Sequence, residues 1–128
     1  MSAQLQESYR QVAAAAEAYA IAFHQGDTDE LGRLFLPDCK LQFVEDGALR
    51  CFAASDWIDL VGSRASAAEQ GHAPDFRLAS LELAGPDCAA VTIEMTSPPN
   101  RFRDVLHLLR IDGTWRIVAK AFHRDLAG

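Results

Sequence analysis

The chain has little of what marks the easily read functional classes. No apolar run approaches the roughly 20 residues of a membrane-spanning helix, so no transmembrane segment and no membrane partner are expected. The amino-terminal stretch MSAQLQESYR is polar and helix-forming rather than basic and then apolar. It does not read as a secretory signal, and the expected location is the cytoplasm. Positive charge is in deficit: 12 Lys and Arg stand against 18 Asp and Glu, for a formal net charge of −6. Arg64, Arg101, Arg103, Arg110 and Arg116 are scattered rather than clustered. Such a chain lacks the cationic surface that neutralises phosphates, so nucleic acid is not an expected partner. Cysteine is scarce as well. Cys39, Cys51 and Cys88 form no C-x-x-C pair and leave an odd number, which fits reduced thiols, each expected as a small buried hydrophobe. The four histidines, His24, His72, His107 and His123, show no metal-site spacing. There is no Ser-His-Asp or Cys-His arrangement, phosphate loop or dinucleotide fingerprint, so neither metal nor cofactor is expected.

What is present describes one soluble domain over residues 1–128, of ordinary hydrophobic (49%) and charged (23%) content. From Ala3 to Gln25 no Pro or Gly occurs and alanine is dense, which suits a long helix. Leu5, Tyr9, Val12, Ala16, Tyr19, Ala20 and Phe23 recur at three- and four-residue steps, so one stripe faces a core. Gly26 stops this helix. Asp27 or Thr28 caps a short second one that buries Leu31, Leu34 and Phe35 and ends at Pro37. Cys39, Leu41 and Phe43 alternate with Lys40 and Gln42 as a strand, and Glu45-Asp46-Gly47 turns the chain into a second strand through Leu49, Cys51 and Phe52. Ser55 is placed to cap a third helix through Trp57, Ile58, Leu60 and Val61, closed by Gly62. Residues 63–74 read as a mobile loop. After Pro74 the pattern turns to strands: Phe76 to Leu83, then Val91, Ile93 and Met95 after a Gly85-Pro86-Asp87 turn, then a closing pair after Pro98 and Pro99.

The closing pair carries the sharpest signal. Asp112-Gly113 sits between two apolar-rich runs, a strong mark of a hairpin with a type I′ turn. A two-residue turn there pairs Ile111 with Thr114, Arg110 with Trp115, Leu108 with Ile117, His107 with Val118 and Asp104 with Ala121. One face of the ribbon then holds Phe102, Asp104, Leu106 and Leu108 with Trp115, Ile117, Ala119 and Ala121. The other holds Arg103, Val105, His107 and Leu109 with Arg116, Val118, Lys120 and Phe122. Both have apolar centres, so periodicity leaves open which one faces inward. Asp104 lies mid-strand, where a carboxylate is costly unless paired or wet. It reads as an ion-pair member or as a pocket acid, with Arg10, Arg64 or Lys120 as possible partners.

A long helix, a Gly-Asp step into a short helix, a strand after a Pro-Asp pair, and a meander ending in DGTWRIV together resemble the nuclear-transport-factor-2-like superfamily. Within it, AFHQGDTDELGRLFLPDCKLQFVEDGAL and FRDVLHLLRIDGTWRIVAKAFHR look like the lumazine-binding and SnoaL-like polyketide-cyclase-related proteins. The resemblance implies an α+β, cone-shaped fold of the cystatin-like kind, with three helices packed on a strongly bent, mostly antiparallel sheet. It also implies one apolar pocket, and a homodimer formed through the outer sheet face. Ketosteroid isomerase shares this scaffold. By that resemblance the oxyanion-donating tyrosine falls at Tyr19, eight residues before Asp27, and the second donor at His107. The general base falls at Phe43, which has no proton-accepting group, and this disfavours the isomerase mechanism.

The expected ligand site is Tyr19, Phe23, Phe43, Trp57, Met95, His107 and Phe122, with Tyr19 and His107 as its polar groups. Tyr19 also reads as a packed core aromatic whose hydroxyl needs a partner, and His107 as a structural hydrogen-bonder. The function expected is binding of a small hydrophobic or aromatic molecule. The alternative is a cofactor-independent isomerase, cyclase or dehydratase acting on a ketone-bearing substrate through His107, Asp104 or Tyr19. A third reading is a protein-interaction module whose cone is filled by side chains.

Overall fold

The structure, a computed structural model, describes residues 2–127. Helix α1 (Ala3–Gln25) begins where the Ser2 hydroxyl accepts a hydrogen bond from the Leu5 amide at 3.1 Å. Its buried line runs through Ser8, Val12, Ala16, Tyr19 and Ala20. Tyr9, expected on this stripe, is exposed. Ser8 takes the inward position instead and donates to the Pro86 carbonyl at 3.0 Å. Gly26 closes the helix with φ +69°, and its amide reaches the Ala22 and Phe23 carbonyls. The Asp27 carboxylate then accepts from the Glu30 amide at 3.1 Å and starts α2 (Thr28–Leu34).

Helix α2 ends before Pro37, because strand β1 (Phe35–Glu45) begins directly at Phe35. Pro37 falls inside β1 at the irregularity between Phe35 and Lys40, where a missing amide donor costs no ladder bond. Asp46 and Gly47, both at positive φ, join β1 to β2 (Ala48–Ala53) with Glu45 opposite Ala48. Helix α3 (Ala54–Gly62) follows at once. Ala53, still paired with Lys40, precedes its first turn, and no side chain caps it, so Ser55 lies inside the helix. Residues 63–75 are tied down rather than loose. The Ser66 hydroxyl accepts from the Glu69 amide at 3.1 Å, and the Ala68 amide donates to the His24 carbonyl at 3.0 Å.

The remaining strands are β3 (Phe76–Leu83), β4 (Cys88–Ser97), β5 (Asn100–Ile111) and β6 (Thr114–Leu126). All six strands form one sheet in the order β2-β1-β6-β5-β4-β3, and only the β1–β6 pair is parallel. Helix α1 packs across β3, β4 and β6, and α3 packs against β1 and β2. The core lies between helices and sheet: Val12, Ala16 and Tyr19 meet Leu41, Val91, Ile93, Leu106, Leu108 and Ile117. Cys39 belongs to this core. Cys51 and Cys88 are exposed, contrary to the expectation for all three thiols, because each points away from the helices on its strand. No helix among the described residues is long and apolar enough to cross a membrane.

The closing hairpin turns at Asp112 (φ +51°) and Gly113 (φ +80°), with Ile111 opposite Thr114 and Leu108 opposite Ile117. Beyond that point the simple count fails. His107 pairs with Ala119 and Asp104 with Phe122, so Val118 is an extra residue in β6, a β-bulge. One inserted residue exchanges the faces of everything after it. Lys120 and Phe122 therefore join Asp104, Leu106, Leu108, Trp115 and Ile117 on the inner face, while Val105, His107 and Leu109 are exposed on the outer one.

The tight passage from α1 to α2 gives a test. A Cβ at residue 26 would stand 3.1 Å from the Ser66 Cβ and would occupy a left-handed backbone conformation. Gly26→Ala is expected to lower the unfolding free energy by about 1–2 kcal/mol in a urea titration. An unchanged midpoint would contradict the assigned cap.

Candidate functional site

A cavity of about 240 Å³ opens between α3 and the inner faces of β1, β5 and β6. Its walls are aromatic for a reason of pattern: alternate residues of each strand point inward, and those positions here are Leu41 and Phe43, Met95, Phe102, and Phe122. Helices contribute Phe23 and Trp57. Phe23 and Trp57 stack with ring centroids 5.8 Å apart, Phe43 and Phe122 at 4.7 Å, and Phe102 meets Phe122 edge-on at 6.0 Å. These paired rings shape a narrow apolar space.

The inner end of the cavity is polar. Asp104, on β5, is completely buried, and its Oδ2 accepts a hydrogen bond from the Tyr19 hydroxyl at 2.5 Å. Lys120, the diagonal neighbour on β6, places its Nζ 3.6 Å from the same oxygen. That separation is an ion pair rather than a hydrogen bond. Its ammonium also lies 4.2 Å above the Trp57 ring, with Phe122 at 4.9 Å and Tyr19 at 5.3 Å, so three rings partly replace lost hydration. The other carboxylate oxygen, Asp104 Oδ1, is buried with no hydrogen-bond partner. Both Asp104 and Lys120 line the cavity.

Burial dominates the protonation of this cluster. It pushes the Lys120 ammonium below the ordinary lysine value, with the Asp104 charge and, more weakly, Cys39 pulling the other way. It pushes the Tyr19 phenol well above its usual value, reinforced by the neighbouring Asp104 charge and the hydrogen bond to it, so Tyr19 remains a donor. The Cys39 thiol is raised to about 11, again by burial and against the pull of Lys120. At the rim, Glu45 accepts from Arg124 at 2.6 Å and from Arg50 at 3.3 Å, and Arg64 also borders the opening. Among the described residues, no group of three or more His, Cys, Asp or Glu is placed to hold a metal ion.

Of the residues expected at the ligand site, Phe23, Phe43, Trp57, Met95 and Phe122 border the cavity, and so does the candidate acid Asp104. Tyr19 does not. It is fully buried behind Asp104 and reaches the cavity only through that carboxylate. His107 is misplaced in the sequence reading: it stands exposed on the outer sheet face, because the inward side of β5 is the Asp104–Leu106–Leu108 side. The group beside Tyr19 is thus Asp104, and the expected second donor at His107 is withdrawn. Lys120 was named only as a possible partner of Asp104 and not as a cavity residue, although the unbroken register put it on the same face as His107 and Phe122. Its one available signal was a lone cation inside the apolar run Ile117-Val118-Ala119-Lys120-Ala121-Phe122. Of the three possible partners for Asp104, Lys120 is the one present, while Arg10 pairs with Glu7.

Two stability experiments follow from this cluster. Asp104→Leu leaves a buried unpaired ammonium and is expected to cost about 3–5 kcal/mol. The double variant Asp104→Leu, Lys120→Met should recover most of that loss, and strictly additive losses in denaturant titrations would refute the pairing. The second concerns pH. Because the Cys39 value is raised from 9.0 to about 11 on folding, the folded chain holds that proton longer. Its stabilising contribution is full below the unfolded value and is lost as pH climbs through the folded one. Cys39→Ala should therefore fall off less steeply than the parent between those limits when stability is plotted against pH.

The model of the family described as "Putative lumazine-binding" matches residues 7–123. A curated relative, aldolase FrzH from Cladobotryum sp, is 28% identical over 116 residues, covering 90% of each chain. An NTF-2-like protein of unknown function from Silicibacter pomeroyi DSS-3 superposes with a TM-score of 0.84 at 27% identity, over 98% of this chain and all of that one. A ketosteroid isomerase-like protein from Erwinia carotovora atroseptica SCRI1043 superposes at 0.70 with 16% identity, over 94% of this chain and 98% of that one, a likeness of fold alone. With nearly its whole length matched, the chain belongs to the putative lumazine-binding family, within the nuclear-transport-factor-2-like superfamily.

Proposed function

We propose that this protein binds a small, flat, mostly apolar molecule that carries a carbonyl group, with its rings among Phe43, Phe122, Phe23 and Trp57 and its oxygen toward Lys120. The observation that carries this reading is the Lys120 ammonium at the inner end of a cavity whose walls are largely aromatic. Burying an ion pair costs several kcal/mol per ion, so a site needed only to hold hydrocarbon gains nothing from Lys120 and Asp104. One donor at the end of an apolar slot fixes orientation, as in most small-molecule sites. The volume, below the ~300 Å³ at which such pockets usually begin, suits a molecule of one or two rings.

A second reading, catalysis at the carbonyl, is favoured by a separate observation. Asp104 lines the same cavity and its Oδ1 is a buried acceptor with no partner, and an acid–base group beside a bound carbonyl is what enolisation or aldol chemistry requires. The similarity to a protein named as an aldolase supports that reading.

Trp57 borders the cavity, whereas the indole of Trp115 donates to Gln11 at 3.1 Å elsewhere in the core. Titration with lumazine and with phenylacetone should therefore change the Trp57 emission saturably, and Trp57→Phe should remove the change. Phe122→Ala is expected to weaken binding about tenfold, or about 1.4 kcal/mol. His107→Ala should leave it unaltered. The reverse pattern would move the site to the outer face and sink the proposal.

A further inference from the structure

We propose that Lys120 is a nucleophile, and that its Nζ condenses with the carbonyl carbon of the bound molecule to form an imine. This rests on the reading of the cavity as a carbonyl site, and goes beyond it by assigning a covalent step and the residue that performs it.

Three features converge. Lys120 is buried at 5% exposure yet borders the cavity, so its amine meets a bound molecule without meeting bulk water. Its nearest charge is a carboxylate able to take a proton at 3.6 Å. Its ammonium also lies over the faces of Trp57, Phe122 and Tyr19, a surrounding in which the neutral amine is easier to reach than on a surface. A compact, rotatable amine that burial readily deprotonates is the usual source of Schiff-base chemistry, and an arginine in the same place could not supply it.

The step balances within the cluster. The ammonium passes one proton to Asp104 Oδ2, and the freed electron pair on Nζ attacks the carbonyl carbon. A second proton moves from nitrogen to the former carbonyl oxygen and gives a neutral carbinolamine, with its new hydroxyl on the side of the Asp104 carboxyl group. The carboxyl group then returns its proton to that hydroxyl. Water leaves, and a protonated imine remains, ion-paired with Asp104 as the ammonium was. No oxidant or further reactant is consumed. Tyr19 holds Asp104 in place by its hydrogen bond and acts as a positioning residue.

The groups that face Lys120 are Tyr19 from α1, Cys39 from β1, Asp104 from β5 and the uncharged Trp57 from α3. Glu45, Arg50, Arg64 and Arg124 border the same cavity at its rim. Of these, Asp104 and Cys39 oppose the loss of the proton, and burial drives it.

The chain has two lysines, Lys40 and Lys120, and Lys40 is exposed, so it serves as an internal control. Phenylacetone is incubated with the intact protein and sodium cyanoborohydride, and the peptides are mapped by mass. Near neutral pH the reduced adduct is expected on Lys120 in about tenfold or greater excess over Lys40, because the cavity holds the ketone against a buried amine. The excess should shrink as the pH approaches the ordinary lysine value. Lys120→Arg should abolish the adduct while Lys40→Arg preserves it; if Lys120→Arg does not fold, the map of the parent chain decides alone. Adducts confined to Lys40 and the amino terminus overturn the inference. If phenylacetone perturbs Trp57 but leaves no adduct on Lys120, the covalent step is wrong and the binding site stands. If it does neither, the carbonyl-site reading itself has failed.

Discussion

The Asp104 carboxylate is the group around which this molecule is arranged. A fully buried carboxylate is tolerated only when its charge and lone pairs are met from inside the protein, and here one oxygen is met from two directions. Tyr19 reaches it from the long helix and Lys120 from the last strand. Helix α1, strand β5 and strand β6 are thereby held in one relative placement, at a position where close-packed hydrocarbon would be the more economical filling. The second oxygen remains without a protein partner, in a residue that borders the cavity.

That arrangement depends on a single inserted residue. Without the bulge at Val118, the alternation of β6 would carry Lys120 and Phe122 to the outer surface and bring Ala119 and Ala121 inward. The cavity would then lose the cation at its inner end, and Phe43 would lose the nearer of its two stacking partners. Bulges commonly re-aim side chains near functional sites, and this one turns an ordinary hairpin into the wall of a cavity. The aromatic rings and the ion pair are linked through it as well. Trp57 and Phe122 define the apolar slot and also stand over the Lys120 ammonium, so a molecule entering the slot lies against the same rings that keep the cation out of water.

Relatives on this scaffold carry names from different functional classes, an aldolase and an isomerase-like protein among them. The scaffold supplies a concave sheet with a helix across it, and the chemistry comes from a few inward positions. In this chain those positions hold Asp104 and Lys120, with phenylalanine at position 43 where the isomerase resemblance would need a base. The nearest acid to Tyr19 comes from β5, and the nearest amine from β6.

Much of the architecture was legible because it is local. Gly26 at a left-handed cap, Asp27 as a helix cap, and the Asp46-Gly47 and Asp112-Gly113 turns are each dictated by backbone conformations that few residues adopt, and alternation then identifies the inner residues of β1 and β4. The aromatic members of the cavity, Phe23, Phe43, Trp57 and Phe122, were also legible as large apolar side chains at inward positions, although Phe122 reached its place by a register other than the expected one. The polar end was not. Val118 is an ordinary strand residue, and nothing in its neighbours marks a bulge, which shows only in the pairing of β6 with β5. The placement of His107 outside, the choice of Lys120 over Arg10 or Arg64 as partner to Asp104, and the meeting of Tyr19 with both are contacts between segments far apart in the chain. Local patterns carry most of the elements, the turns and the family. Which face of the closing hairpin looks inward is settled by strand pairing in the folded chain, because a shift of one residue leaves composition unchanged and reverses every side chain beyond it.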